Sequence, residues 1–369
     1  MVMRLLPILV LLSLAIPARA EPPKREAFEI AVDNAMHYLA NAQNPDGSWP
    51  SGQFGGRGIN GGGRDPAITA LCVMAFLSSG HVPGEGKYGG NIERGIKYVS
   101  DSQQQNGVFS GQQFGMTVMY SHGICTLMVA EVIGLTSDRQ QAARLREQLA
   151  KAVKLINSAQ SRNAPHTGGW RYSITASDAD ISVTGWQVMA LRAAKNVGCD
   201  VPATVIDRAV EYVKSCYDPA TGGYRYTTHS HVTVPCTGAS ILSLELCGKQ
   251  YHKSEQSLNA ASFLCQERNL LTQDRPHFFY GIYYAAQAMF QIGGEYWKLY
   301  RGFLHAQLLT EGRRSYPQRP GGFWVSTSPD DANAGTNYCT AMAVLALTVE
   351  YRFLPIYQRS EEPDERAGK

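Results

Sequence analysis

Charge imbalance is nearly missing from this chain. Its 34 Lys and Arg stand against 31 Asp and Glu, for a formal net charge of +3. A chain so close to neutral offers no electrostatic case for nucleic acid, whose polyanionic backbone is held by basic patches, and none for an anionic membrane surface. Long apolar runs are also lacking: beyond residue 20 no segment reads as the roughly 20 consecutive apolar residues that cross a bilayer. There are eight cysteines but no Cys-x-x-Cys pair, so the strong zinc spacing is missing. The His and Asp residues have no diagnostic metal spacing either, and the sequence implies no metal and no other cofactor.

The first 20 residues read as a signal peptide. Arg4 gives a positive start, 5–16 is an apolar run broken by Pro7 and Ser13, and Ala18-Arg19-Ala20 places small residues where a signal peptidase reads. Cleavage there would leave Glu21 first and lower the formal charge from +3 to +1. The expectation is an exported protein, periplasmic or extracellular, with no integral membrane span after cleavage. Export permits disulfides. Most cysteines sit inside apolar helical patterns, such as Cys72 in Ala70-Leu71-Cys72-Val73-Met74, where a thiol packs as a small hydrophobe. Cys199, Cys216 and Cys236, nearest the loops, are the best disulfide candidates, and the sequence does not pair them.

What the chain does have is a recurring phrase: a helix, a Gly followed by an aromatic, then a second helix. It reads Gln43-Asn44-Pro45-Asp46-Gly47-Ser48-Trp49, then Asn106-Gly107-Val108-Phe109, Gly168-Gly169-Trp170, Gly222-Gly223-Tyr224 and Gly321-Gly322-Phe323-Trp324. Such a period marks a repeat architecture. The first helix of each pair, near 27–42, 92–104, 145–159, 203–216, 257–268 and 295–309, has apolar residues three and four apart, as in Ile30, Ala31, Asn34, Ala35, Tyr38 and Leu39. The second members, near 68–79, 120–133, 184–197, 237–247, 280–292 and 338–352, are apolar nearly all round, the pattern of an enclosed helix. Six pairs of this kind predict a closed ring with the second helices inside. An open solenoid would expose the very apolar last inner helix and would need polar capping repeats. The expected division is 1–20 signal peptide, 21–26 linker, 27–357 one toroidal domain and 358–369 a disordered charged tail.

The pattern of an aromatic-bearing helix, a terminal Gln and then Gly-x-Trp, best formed at Gln43 with Trp49 and Gln160 with Trp170, resembles the repeat of squalene and oxidosqualene cyclases and is related to that of prenyltransferase β-subunits. The resemblance implies an all-α, (α/α)6 toroid over nearly the whole mature chain, in which the Gln and aromatic tie neighbouring outer helices together. The fifth copy, around Gln266 to Pro276, lacks the Gly-aromatic step. Squalene–hopene cyclases carry Asp-x-Asp-Asp at the start of an inner helix, and here Asp178-Ala179-Asp180-Ile181 follows Gly168-Gly169-Trp170. Ile181 stands where the second of the paired aspartates belongs, so the resemblance supports a cyclase-like fold better than cyclase activity. Asn337 precedes Cys339 where a prenyltransferase zinc site needs Asp, and the Gly-Cys-Gly-Glu-Gln segment of thioester domains is absent.

The loops leading into the inner helices carry a polar set. If the toroid closes, these positions meet at one end of the ring, and titratable groups gathered in a concavity are candidate acids and bases. Asp178, Asp180, His122 and His231 are the candidate catalytic residues, His122 or His231 as a base near neutral pH and Asp180 as its orienting partner or as an acid. Asp65, His229, His277, Tyr280, Tyr284, Asn337 and Tyr338 are the candidate ligand-binding residues. The plainer roles are also open: Asp65, before Pro66, reads as a helix cap, as does Asp180, while His229 and His231 suit a solvated loop, and Trp186 and Tyr283 suit core packing. Three functions follow: an enzyme or binder for an isoprenoid or lipid, a carbohydrate-active lyase or hydrolase, and a non-catalytic scaffold. Fold alone does not choose among them.

Overall fold

The computed structural model describes residues 25–52, 65–111, 118–272, 275–311 and 317–358. The expected signal peptide, most of the linker and the charged tail after Gln358 lie outside the described residues. In chain order the helices are α1 (Ala27–Ala42), α2 (Pro66–Ser78), α3 (Gly89–Asp101), α4 (Val118–Leu135), α5 (Arg139–Ala159), α6 (Ile181–Asn196), α7 (Ala203–Ser215), α8 (Val234–Cys247), α9 (Glu255–Leu264), α10 (Phe278–Ile292), α11 (Gly294–Leu309), α12 (Pro329–Ala334) and α13 (Thr336–Leu347). The inner helices α2, α4, α6, α8, α10 and α13 pack each on the next, and α13 packs back on α2. The architecture is an (α/α)6 toroid with a closed inner barrel. Every residue of α2 is buried, whereas only one face of α3 is, as the sequence pattern requires.

Each part of the repeated phrase has a mechanical role. The Gln at the end of an outer helix donates both to its own turn and to the next outer helix: Gln43 to the carbonyls of Gly47 (3.0 Å) and Asn91 (2.9 Å), Gln103 to Gly107 (3.0 Å) and Gln148 (2.9 Å), Gln160 to Gly168 and Val205 (both 2.9 Å). Gln318 donates to the Ala31 carbonyl of α1 at 2.7 Å and so helps close the outer ring. Gly168 has φ +98°, and a Cβ on it would lie 2.0 Å from the Arg208 carbonyl oxygen, so only glycine fits. The indole N–H groups of Trp49, Trp170 and Trp324 return to the carbonyls of Leu39, Ile156 and Leu308 on the preceding outer helices. Their backbone N–H groups meet Thr69, Thr184 and Thr340 on the following inner helices.

Two boundaries differ most from the sequence expectation. Helix α5 begins at Arg139 because Asp138 caps it through the Gln140 and Gln141 N–H groups; its first turn is too polar to show an apolar period. The last inner helix stops at Leu347 and gives way to short 3-10 turns at Val349–Tyr351 and Pro355–Tyr357. Two expectations need correction here. Helix α4, at 18 residues, is long and apolar enough to cross a membrane by length and composition. It is apolar because it is a wall of the barrel, with 78% of it buried. The disulfide expectation is also corrected: all eight cysteines, including Cys199, Cys216 and Cys236, are unpaired.

The C-terminal turn Pro355–Tyr357 seals the barrel at the C-terminal ends of the inner helices. Both carboxylate oxygens of Glu131 in α4 accept from the Ile356 N–H, at 3.2 and 3.3 Å, and the Tyr357 hydroxyl meets that of Tyr283 at 3.0 Å. Burial raises Glu131 from the ordinary 4.5 to about 8. The folded protein therefore keeps a proton that the unfolded chain has lost. The stabilisation from this group is whole below about pH 4.5 and is lost as pH rises through about 8. Glu131→Gln keeps the acceptor and removes the ionisation. In denaturant titrations across this window the variant should gain on the wild type by about 1.4 kcal/mol per pH unit; parallel curves would show that Glu131 ionises normally.

Candidate functional site

The opposite end of the barrel is hollow. A cavity of about 840 Å3 opens among the first turns of the inner helices, within the ~300–1,000 Å3 typical of ligand pockets. Its deep part is apolar, formed by Ile68 and Leu71 of α2, Ile124 of α4 and Trp186 of α6. Trp186 stacks at 5.7 Å on Tyr283, which fills the space below. The fourth-repeat loop brings His231, the fifth Arg268, Arg275 and His277, and the sixth Asp330 and Asp331 to the cavity wall.

One wall is a hydrogen-bonded polar network. Tyr120 and Ser182 line the cavity and share a 2.5 Å hydrogen bond; Ser182 in turn donates to Asp180 at 2.5 Å. Asp180 caps α6 by accepting from the Val183 N–H, and is fully buried. Its second oxygen has no hydrogen bond and lies 3.4 Å from the Arg171 guanidinium. Burial raises its pKa against those interactions, so Asp180 is a poorly solvated acid behind Ser182. Arg171 lies over the rings of Tyr172 and Tyr226, at 4.6 and 5.4 Å. Those two tyrosines line the cavity and bond to each other through their hydroxyls.

The opposite wall comes from a departure from the repeat. Between the Gly-Phe-Trp step and α13 the chain forms the short helix α12, where the described loops of the third and fourth repeats form none, and it carries Asp330 and Asp331 into the cavity. Asp331 is 2% exposed and accepts from the Phe279 N–H at 3.2 Å. Burial first, partly offset by that bond and by His277, raises its pKa to about 6. His277 precedes α10 with φ +57°, a strained conformation for a non-glycine residue. Its Nε2 lies 3.7 Å from Asp330.

Of the sequence-selected residues, Asp65, His231, His277, Tyr280 and Tyr338 line the cavity. Asp65 also caps α2 through the Ala67 N–H and accepts from Ser121. Several expectations are corrected. His122 is fully buried in the wall: its Nδ1 accepts from the Phe109 N–H and its Nε2–H donates to the Ala152 carbonyl, both at 3.1 Å. It takes the place that Thr69, Thr184, Thr237 and Thr340 take in other repeats, and burial pushes its pKa down to about 4. It is a structural partner of the repeat aromatic. Asp178 is half exposed and pairs with Arg171 outside the cavity lining. His229 is exposed beside the cavity and is not part of its wall. Tyr284 is fully buried behind Tyr280, with ring centroids 4.8 Å apart. Asn337 donates to the Pro50 carbonyl at 2.8 Å and ties the last repeat to the first. Among the described residues no group of three or more His, Cys, Asp or Glu could hold a metal ion.

The sequence reading missed Tyr120, Ser182, Tyr172, Tyr226, Asp330 and Asp331. Tyr172 and Tyr226 each follow a repeat aromatic, Trp170 and Tyr224, by two residues, a signal that was available. Ser328-Pro329-Asp330-Asp331 also has the composition of a helix start.

No family model matches this chain, and no curated protein matches it. Solved structures do. The α-1,6-mannanase GH76A of Salegentibacter sp. HEL1_6 is 11% identical with a TM-score of 0.62, covering 88% of this chain and 99% of that one. The type II terpene cyclase MstE from Scytonema is 16% identical with a TM-score of 0.57, covering 90% and 100%. A D-mannose isomerase is 11% identical with a TM-score of 0.59, covering 90% and 100%. These likenesses show the toroid.

Proposed function

We propose that this chain is an exported protein that binds an isoprenoid or similar lipid in the cavity of its inner barrel. The observation that carries the reading is the apolar, Trp186-floored depth of that cavity, closed below and polar only towards its mouth. A chain of CH2 and methyl groups gains about 0.8 kcal/mol for each CH2 removed from water there. The likeness to a terpene cyclase accords with such a ligand. The acid in the cyclase position, Asp180, stands behind Ser182, which favours binding over direct protonation of an alkene by that residue.

A carbohydrate ligand is the second reading. It is favoured by the tyrosines and acids near the mouth and by the likeness to a mannanase, known also as an inactive variant with two consecutive aspartates replaced, in complex with α-1,6-mannotetrose. Titration of intrinsic tryptophan fluorescence with geranylgeraniol and with a panel of mannose oligosaccharides separates the two. Saturable quenching by the isoprenoid alcohol and none by the sugars is expected; the reverse would overturn the lipid reading.

A further inference from the structure

Two breaks in the repeat pattern meet at one place. The fifth repeat lacks the Gly-aromatic turn and brings His277 to the cavity in a left-handed conformation. The sixth repeat folds the segment before its inner helix into α12, unlike the described loops of the third and fourth repeats, and brings Asp330 and Asp331. Consistent sequences depart from their own rules mainly where function requires it. The two aspartates are adjacent in sequence and sit in unlike settings. Asp331 is buried, with one oxygen held by the Phe279 N–H; Asp330 has a half-exposed side chain facing His277. Two carboxyls in unlike surroundings beside one cavity are the arrangement that divides acid from base.

We propose that Asp331 and Asp330 are a general acid and general base that hydrolyse a C–O bond joining the polar head of a lipid to the part held in the cavity. This inference rests on the lipid-binding reading and adds a reaction to it. The Asp331 carboxyl gives its proton to the bridging oxygen as the C–O bond breaks. A water molecule adds its oxygen to the carbon, and its proton passes to the Asp330 carboxylate, which His277 orients. The products are two hydroxyl-bearing fragments, or an alcohol and an acid where the bond is an ester. Solvent returns the proton from Asp330 to Asp331. His277 is a positioning residue. The ionisable groups facing Asp331 are His277, Asp330, and Tyr338 and Cys339 of α13, and burial of Asp331 itself keeps its proton available up to about pH 6.

The test uses two probes, farnesyl acetate for an ester and octyl α-mannoside for an acetal, in 18O-labelled water. Binding is followed by tryptophan fluorescence and cleavage by mass spectrometry. The expected result is 18O in the product of one probe, with a rate that falls as pH rises through about 6. Asp331→Asn should lower that rate by about 100-fold or more with binding changed little. Asp330→Asn should also cut the rate, and His277→Gln should lower kcat more than it raises KM. Binding without cleavage of either probe, or an Asp331→Asn rate and pH limb like those of the wild type, would overturn the acid–base assignment and leave lipid binding standing. Failure of the wild type to bind either probe, or geranylgeraniol, would overturn the lipid reading and this inference with it.

Discussion

Trp170→Ala should cost the fold about 4 kcal/mol, in the ~3–5 kcal/mol range for truncating a buried Trp. Its ring is fully buried, its indole N–H donates to the Ile156 carbonyl of α5 at 2.8 Å, and its backbone N–H meets Thr184 of α6 at 3.0 Å. One side chain thus joins an outer helix to an inner one. Truncation leaves a void and strands a carbonyl that the indole now satisfies. The Trp170 carbonyl also accepts from the Asp180 N–H at 3.0 Å, so the polar wall of the cavity should loosen with it. Trp297 offers the comparison. It is half-buried and donates to Glu350, and its truncation should cost clearly less. Urea unfolding of both variants measures the difference, and equal losses would deny the repeat aromatic its joining role.

Ile124→Trp should abolish binding of a lipid while leaving the protein folded. Ile124 is in the second turn of α4 and faces the apolar depth of the cavity. The added indole has empty space to enter, so the overpacking penalty of a filled core does not arise. It would occupy volume that the ligand needs. A loss of affinity of about 100-fold, corresponding to roughly 2.7 kcal/mol, with an unchanged circular dichroism melt, is the expected outcome. Undiminished affinity would place the ligand elsewhere.

The toroid was legible because its cause is periodic. Gln43, Gly47 and Trp49 do one job each, and the same jobs recur at Gln160, Gly168 and Trp170, so their spacing carries the tertiary contact into the sequence. Alignment of the repeats also led to Asp65, His231, His277, Tyr280 and Tyr338 at the cavity. The same alignment misled at His122. A histidine at the head of an inner helix looks like a site residue, yet the position faces the repeat aromatic, where other copies carry threonine. Asp330 and Asp331 were invisible to the alignment for the opposite reason: they sit on the short helix α12, which the described loops of the third and fourth repeats lack. Asp180 lies between these cases. Its place at the head of α6 was legible; its separation from the cavity by Ser182 depends on side-chain packing that spacing does not encode.

Photocrosslinking tests the central claim most directly. The purified protein is irradiated with a diazirine-bearing isoprenoid alcohol, and the labelled residues are mapped by mass spectrometry. Lipid binding in the inner barrel predicts one label per chain, confined to the first two turns of α2, α4 and α6, at Ile68, Leu71, Ile124 and Trp186. Labels restricted to apolar side chains on the outside, such as the exposed Ile30 and Leu299, would contradict it.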